Sequence, residues 1–177
     1  MQTYIAMLRG INIGDKQIKM ADLRRLVEGL GHDDVETYIQ TGNVVFRSSV
    51  GDAEAVRSGI EDAVRKVLGM EVAVVLRTRE ELRSLVAETP FVREGVESRW
   101  LHVTFLSAMP DQSKIPAQVA GTEPDEYVVH GRDIYLYCPG GYGRTKLNNS
   151  FWERKVGVAA TTRNWNTVNK LLEMADG

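Results

Sequence analysis

Val35-Glu36-Thr37-Tyr38-Ile39-Gln40-Thr41-Gly42-Asn43-Val44-Val45-Phe46-Arg47 holds two strand-like runs around one tight turn. Val35, Thr37 and Ile39 alternate along the first run, and Val44 to Arg47 form the second. Thr41-Gly42-Asn43 carries turn chemistry between them, so the stretch reads as a β-hairpin. What flanks it decides the architecture. Upstream, Thr3 to Arg9 puts Tyr4, Ala6 and Leu8 on one side and Ile5 and Met7 on the other, the pattern of a central strand. Met20, Leu23, Leu26, Val27 and Leu30 then recur at helical spacing, with Gly31 as a left-handed terminator. Downstream, Asp52 is placed to cap a helix whose stripe is Val56, Ile60, Ala63, Val64 and Val67. Gly69 ends that helix, and Val72, Val74 and Leu76 make a fourth strand.

Strand, helix, strand, strand, helix, strand is the order of a ferredoxin-like, split βαβ unit with a four-stranded antiparallel sheet. Beyond it, Thr78-Arg79-Glu80-Glu81 has capping-box spacing and opens a helix with Leu82, Leu85 and Val86. Trp100 to Leu106 is strand-like, with Leu101, Val103 and Phe105 on one face. Pro110 to Pro124 is polar, with room for a short helix around Ile115 to Val119. Tyr127–His130 and Ile134–Cys138 flank Gly131-Arg132 as a second hairpin. Ser150 with Glu153 forms another capping box, ending at Gly157, and Thr161 or Thr162 caps a last helix along Trp165, Val168, Leu172 and Ala175. The expected class is α+β: two ferredoxin-like halves with antiparallel sheets, the second ending in two helices in place of a closing strand. The boundaries fall at 1–78 and 79–177, with shared contacts between the halves. No residue-level repeat accompanies this architectural one.

Four separated stretches carry a resemblance. Leu8–Gly14 (LRGINIG), Lys19–Leu26 (KMADLRRL), Tyr38–Phe46 (YIQTGNVVF) and Glu153–Val168 (ERKVGVAATTRNWNTV) closely resemble the bacterial family catalogued as domain of unknown function 1697. The likeness covers essentially the whole chain. It implies an α+β fold built from ferredoxin-like units, and it implies no activity and no catalytic residue.

Composition bounds the function classes. A chain of 177 residues with 43% hydrophobic and 26% charged content can bury a core without staples. A net charge of −2 gives no global attraction to nucleic acid or membrane, so any such attraction is local. One cysteine, Cys138, forbids an internal disulfide. Residues 1–9 lack signal-peptide character, and no apolar run approaches the roughly 20 residues of a membrane span. These features point to a cytoplasmic protein with no membrane partner.

Gly140 to Lys170 is the outlier in charge. It carries Arg144, Lys146, Arg154, Lys155, Arg163 and Lys170 against one acid, Glu153, together with Tyr142, Phe151, Trp152 and Trp165. Gly140-Gly141-Tyr142-Gly143-Arg144-Thr145-Lys146 is a glycine-rich basic loop without the spacing of a phosphate-binding loop. Thr162, Arg163, Asn164 and Asn166 cluster hydroxyl, guanidinium and amide groups that suit an anion. Trp165, Trp152 and Val156 fall on apolar stripes and belong to the core, whereas Arg154 and Lys155 face solvent. A second candidate is the loop after the first strand, where Arg9, Gly10, Asn12, Gly14 and Lys16 precede a helix start. His32, His102 and His130 lack metal spacing, and His102 inside a strand reads as structural. No motif supplies a catalytic group or a cofactor site.

The leading expectation is a binding module for a phosphate-bearing small molecule, such as a nucleotide, or for nucleic acid. The hairpin Tyr38–Phe46 lacks the RNA-recognition signature, which lowers the nucleic-acid version. The second expectation is an enzyme on a small anionic substrate, positioned by Arg9, Arg144 and Arg163 and polarised by Asn12 or Asn164. The third is a homodimeric interaction protein joined through a sheet edge or the last helix.

Overall fold

The computed structural model describes residues 1–177, which divide into two compact units. Met1–Arg83 together with Leu171–Gly177 make the first, and Ser84–Lys170 the second.

In the first unit the elements are β1 (Gln2–Leu8), α1 (Met20–Gly29), β2 (Asp33–Tyr38), β3 (Asn43–Ser48), α2 (Ala53–Leu68) and β4 (Val74–Thr78). The sheet runs β2-β3-β1-β4 and is antiparallel throughout. β1 is central because its side chains are apolar on both faces. Tyr4 stands opposite Phe46 on one neighbour and Thr78 on the other. Strand alternation sends Tyr4, Ala6, Leu8, Val44, Phe46, Val74 and Leu76 to one face. There they pack against Leu23 and Val27 of α1 and Val56, Ile60 and Val64 of α2. Asp52 caps α2 by accepting from the Glu54 N–H at 3.0 Å, and Gly69 ends it at φ 67°. The edge strand β2 carries an irregularity between Asp33 and Glu36, and its acidic side chains further discourage edge pairing.

α3 (Arg79–Ala87) follows β4 directly. The Thr78 hydroxyl accepts from Glu81 N–H at 3.1 Å, and the Glu81 carboxylate accepts from Thr78 N–H at 2.8 Å, so the expected capping box is formed.

The second unit holds β5 (Leu101–Leu106), β6 (Glu126–His130), β7 (Asp133–Tyr137), α4 (Asn149–Val156) and β8 (Ala160–Asn164). α5 (Trp165–Asp176) begins here, and its last turns belong to the first unit. The sheet order β6-β7-β5-β8 repeats the first topology strand for strand. The α+β class with two antiparallel four-stranded sheets stands as expected.

Three local expectations are corrected. Ala160–Asn164 is the closing strand, so it is not missing, and Thr161 and Thr162 are ladder residues, not helix caps. The sequence hides this strand because polar side chains lie on both of its faces, Thr161 and Arg163 on one and Thr162 and Asn164 on the other. Asn164 caps α5 in their stead, its Oδ1 accepting from Thr167 N–H at 2.8 Å. Asn148, not Ser150, caps α4 by accepting from Phe151 N–H at 2.9 Å. The short helix expected at Ile115–Val119 is a single 3-10 turn at Gln112–Lys114. Ile115 and Val119 still pack on the core and do part of the work of the absent crossover helix. No helix is long and apolar enough to cross a membrane.

Candidate functional site

Shared topology lets each unit serve as the control for the other. Matching β4 on β1 with β8 on β5 by register places His102 on Tyr4 and Thr104 on Ala6. The same match places Thr162 on Leu76, Arg163 on Arg77 and Asn164 on Thr78. The architectural repeat therefore extends to strand register, while most of the matched residues differ. The cap is also repeated: Thr78 and Asn164 each accept from the N–H three residues on.

The difference lies on the helix-covered face. In the first unit that face is apolar at Tyr4, Ala6 and Leu76. In the second unit it carries a polar chain. Thr162 donates its hydroxyl to Asn149 Oδ1 at 2.6 Å, which leaves Thr104 as the donor to Thr162 Oγ1 at 2.7 Å. Asn149 is the first residue of α4, so the chain ties the helix start to the closing strand. Thr104 is completely buried. The buried hydroxyl of Thr104 and the half-buried one of Thr162, in a place that the sister unit fills with alkyl groups, are a local departure of the kind that marks functional or strained sites.

His102 extends this face beyond Thr104. Its ring stacks on Tyr142, with centroids 4.8 Å apart and planes inclined by 23°. Its buried Nδ1 has no hydrogen-bond partner. Burial pushes the imidazole pKa down to about 4, partly offset by the Trp100 backbone, so the ring is neutral near pH 7. Trp152, fully buried on the same side, also leaves its indole N–H without a partner; its ring stands edge-on to Tyr127 at 5.0 Å.

Tyr142 opens a 3-10 turn, Tyr142–Arg144, between the end of β7 and α4. Arg144 and Lys146 are exposed and have no carboxylate at salt-bridge distance. The Lys146 ammonium lies against Gly121, 3.1 Å from where a Cβ would stand. Arg154 is exposed in the last turn of α4, where its charge complements the helix C-terminus. Arginines of the first unit behave differently: Arg24, Arg47, Arg57, Arg65 and Arg79 each meet a carboxylate.

The remaining sequence candidates take structural positions. Arg163 is buried at 7% exposure and donates Nη1 to Thr161 Oγ1 at 2.7 Å and to the Thr162 carbonyl at 3.0 Å. Burial lowers its pKa to about 10, opposed by nearby Tyr142. Its planar fork is not presented to solvent, against the sequence expectation. Asn164 is used as a cap, and Asn166 is exposed on the first turn of α5. In the first unit Asn12, at φ 56°, donates Nδ2 to the carbonyls of Ile18 (3.0 Å) and Gln40 (2.5 Å). Its Oδ1 accepts from Ile18 N–H at 2.8 Å. All the capacity expected for polarising a substrate goes to pinning the loop. Gly10 and Gly14 adopt φ 68° and 69° with open space where a Cβ would be, so backbone conformation alone requires them. Lys16 donates to the Glu71 carbonyl at 2.6 Å, and Arg9 is half-buried. Arg9, Gly10, Asn12, Gly14 and Lys16 thus lie in the first unit, and the C-terminal candidates in the second.

Sequence reasoning read His102 as structural and passed over Thr104 and Asn149. One signal was available: WLHVTFL places His102 and Thr104 on the same side as Leu106, where an unbroken core strand is apolar throughout. No group of three or more His, Cys, Asp or Glu side chains is disposed to hold a metal ion.

Residues 1–135 match the sequence profile of the family described as Protein of unknown function (DUF1697). The chain belongs to this DUF1697 family. A conserved bacterial protein, SP0830 from Streptococcus pneumoniae, has a similar structure, with a TM-score of 0.79 over 99% of both chains at 23% identity. At that identity the likeness carries the fold alone. No curated protein matches the chain at a significant level. The DUF1697 profile includes His102 and Thr104 but ends at residue 135, ahead of Tyr142, Arg144, Lys146 and Asn149, so the basic loop rests on its own geometry.

Proposed function

We propose that the second unit of this DUF1697 protein binds a small phosphate-bearing ligand at the loop from Tyr142 to Asn149. The observation that carries this reading is the exposure of Arg144 and Lys146 without carboxylate partners, in a chain whose other surface arginines are widely neutralised. Unpaired cations two residues apart offer a phosphate two contacts, and Arg144 can add a bidentate one. Arg154, exposed on α4, supplies further positive field. Large exposed hydrophobic residues are all aliphatic, and Trp152 and Trp165 are buried, which favours a small ligand over a nucleic-acid strand needing stacking platforms. Cys138 is a buried free thiol, in keeping with a reducing, cytoplasmic setting.

The test is calorimetric titration of the full chain with ribose 5-phosphate at low and moderate salt. Binding is expected to weaken with salt, and Arg144→Ala with Lys146→Ala to weaken it by roughly tenfold or more. Equal affinity in the double variant removes the reading.

A further inference from the structure

Resting on that reading, the geometry points to a second half of the site: we propose that Tyr142 is a placeholder for the base of a nucleotide. Its phenol ring occupies the face of His102 in the near-parallel arrangement that a stacked nucleobase adopts. Three features support this assignment.

The segment bearing it is rich in glycine. Gly140, Gly141 and Gly143 have nothing within 4 Å of an ideal Cβ, so the chain has room around these points. What ties the segment is a Gly141 N–H to Cys138 carbonyl bond at 3.0 Å and the packing of Tyr142 on the core, contacts that a bound base would have to replace. Gly141 also sits at φ 93°, a conformation that glycine adopts without strain. The ring itself is half-buried, so a route to solvent exists on its outer side.

The surface beneath it is incompletely satisfied. His102 Nδ1 is buried without a hydrogen bond, an arrangement that costs stability unless some state of the protein supplies a partner. A ribose hydroxyl reaching past the edge of the ring brings such a partner. Neutral imidazole is also the form that stacks without repelling neighbouring cations.

Placement relative to the phosphate contacts is right. Arg144 and Lys146 follow Tyr142 by two and four residues, and the 3-10 turn closes back at Thr145 N–H to the Tyr142 carbonyl, 3.1 Å. A ligand with its phosphate on these cations therefore has its sugar and base within a few residues of His102. The first unit has no counterpart: Tyr4 occupies the His102 position and is itself core, tilted against Phe46 at 5.9 Å.

AMP and ribose 5-phosphate, titrated into the full chain, separate the base from the phosphate. Wild type is expected to bind AMP about tenfold more tightly, the scale of one stacked base. Tyr142→Ala removes the competitor and should tighten AMP several-fold relative to ribose 5-phosphate, the behaviour expected when a closed state taxes binding. In wild type, NMR should show AMP, but not ribose 5-phosphate, shifting the His102 ring protons; this readout stands if Tyr142→Ala does not fold. Equal affinities for the two ligands, or AMP affinity lost in Tyr142→Ala, overturn the base site and leave the phosphate reading standing. Binding of neither ligand overturns both.

Discussion

Arg77 and Arg163 hold the same place in the two units: each is buried, and each donates Nη1 to the carbonyl of the residue just before it, at 2.8 and 3.0 Å. Each also stands immediately before the residue that caps the following helix. The guanidinium is thus built into the turn from the closing strand to the helix. Arg163→Ala should cost about 3 kcal/mol in urea denaturation, from lost packing and stranded acceptors. Arg144→Ala, on the exposed loop, should stay within about 0.5 kcal/mol. Near-equal losses would contradict the structural role given to Arg163.

The Thr104–Thr162–Asn149 chain predicts strong coupling. Thr104→Ala or Thr162→Val alone strands a partner in the core and should cost about 1–2 kcal/mol. The double variant approaches the apolar pattern of Ala6 and Leu76. It should recover about 1 kcal/mol relative to the sum of the single losses, measured as a double-mutant cycle in urea. Additive losses would mean that the hydroxyls do not act together.

His102 makes stability depend on pH. Its folded pKa of about 4 lies below the ordinary 6.5, so the unfolded chain takes up the proton first as pH falls. The stability tied to the neutral ring is complete above pH 6.5, is lost through the window down to pH 4, and amounts to as much as about 3 kcal/mol. His102→Phe, which copies the aromatic character of Tyr4 in the sister unit, should flatten the urea midpoint between pH 6.5 and 4 relative to wild type. An unchanged slope would show that His102 is not the titrating group.

Gly42 is demanded by space as well as by backbone. At φ 86°, an added Cβ would stand 2.5 Å from Ile11 Cδ1 and 3.1 Å from Leu8 Cβ. The hairpin turn and the loop after β1 are therefore pressed together, with Leu8 N–H donating to the Gly42 carbonyl at 2.9 Å. Gly42→Ala should cost about 3 kcal/mol, from overpacking added to left-handed strain. Gly14→Ala, at φ 69° in open space, should cost only about 1 kcal/mol. Thermal unfolding of both variants checks the ranking.

Much of the fold was legible along the chain. Two-sided apolar alternation in Thr3–Arg9 marks a central strand, and the Val56–Ile60–Val64 stripe marks a helix face, because each signal repeats within a few residues. The site was far less legible. Arg163 and Asn164 look like an exposed anion-binding pair in sequence. One is a buried strand residue and the other a helix cap, depending on how β8 pairs with β5. Asn12 looks like a ligand group until its three loop hydrogen bonds are counted.

The sequence by itself determined the elements, their order and the doubled ferredoxin-like plan, since helix and strand periodicity is set by near neighbours. Only the tertiary structure decided which polar groups are spent and which remain available. Thr104 meets Thr162 across 58 positions, and His102 meets Tyr142 across 40, through strand pairing and a loop folding back. Burial and hydrogen bonding of such groups depend on distant partners, and no local pattern encodes those.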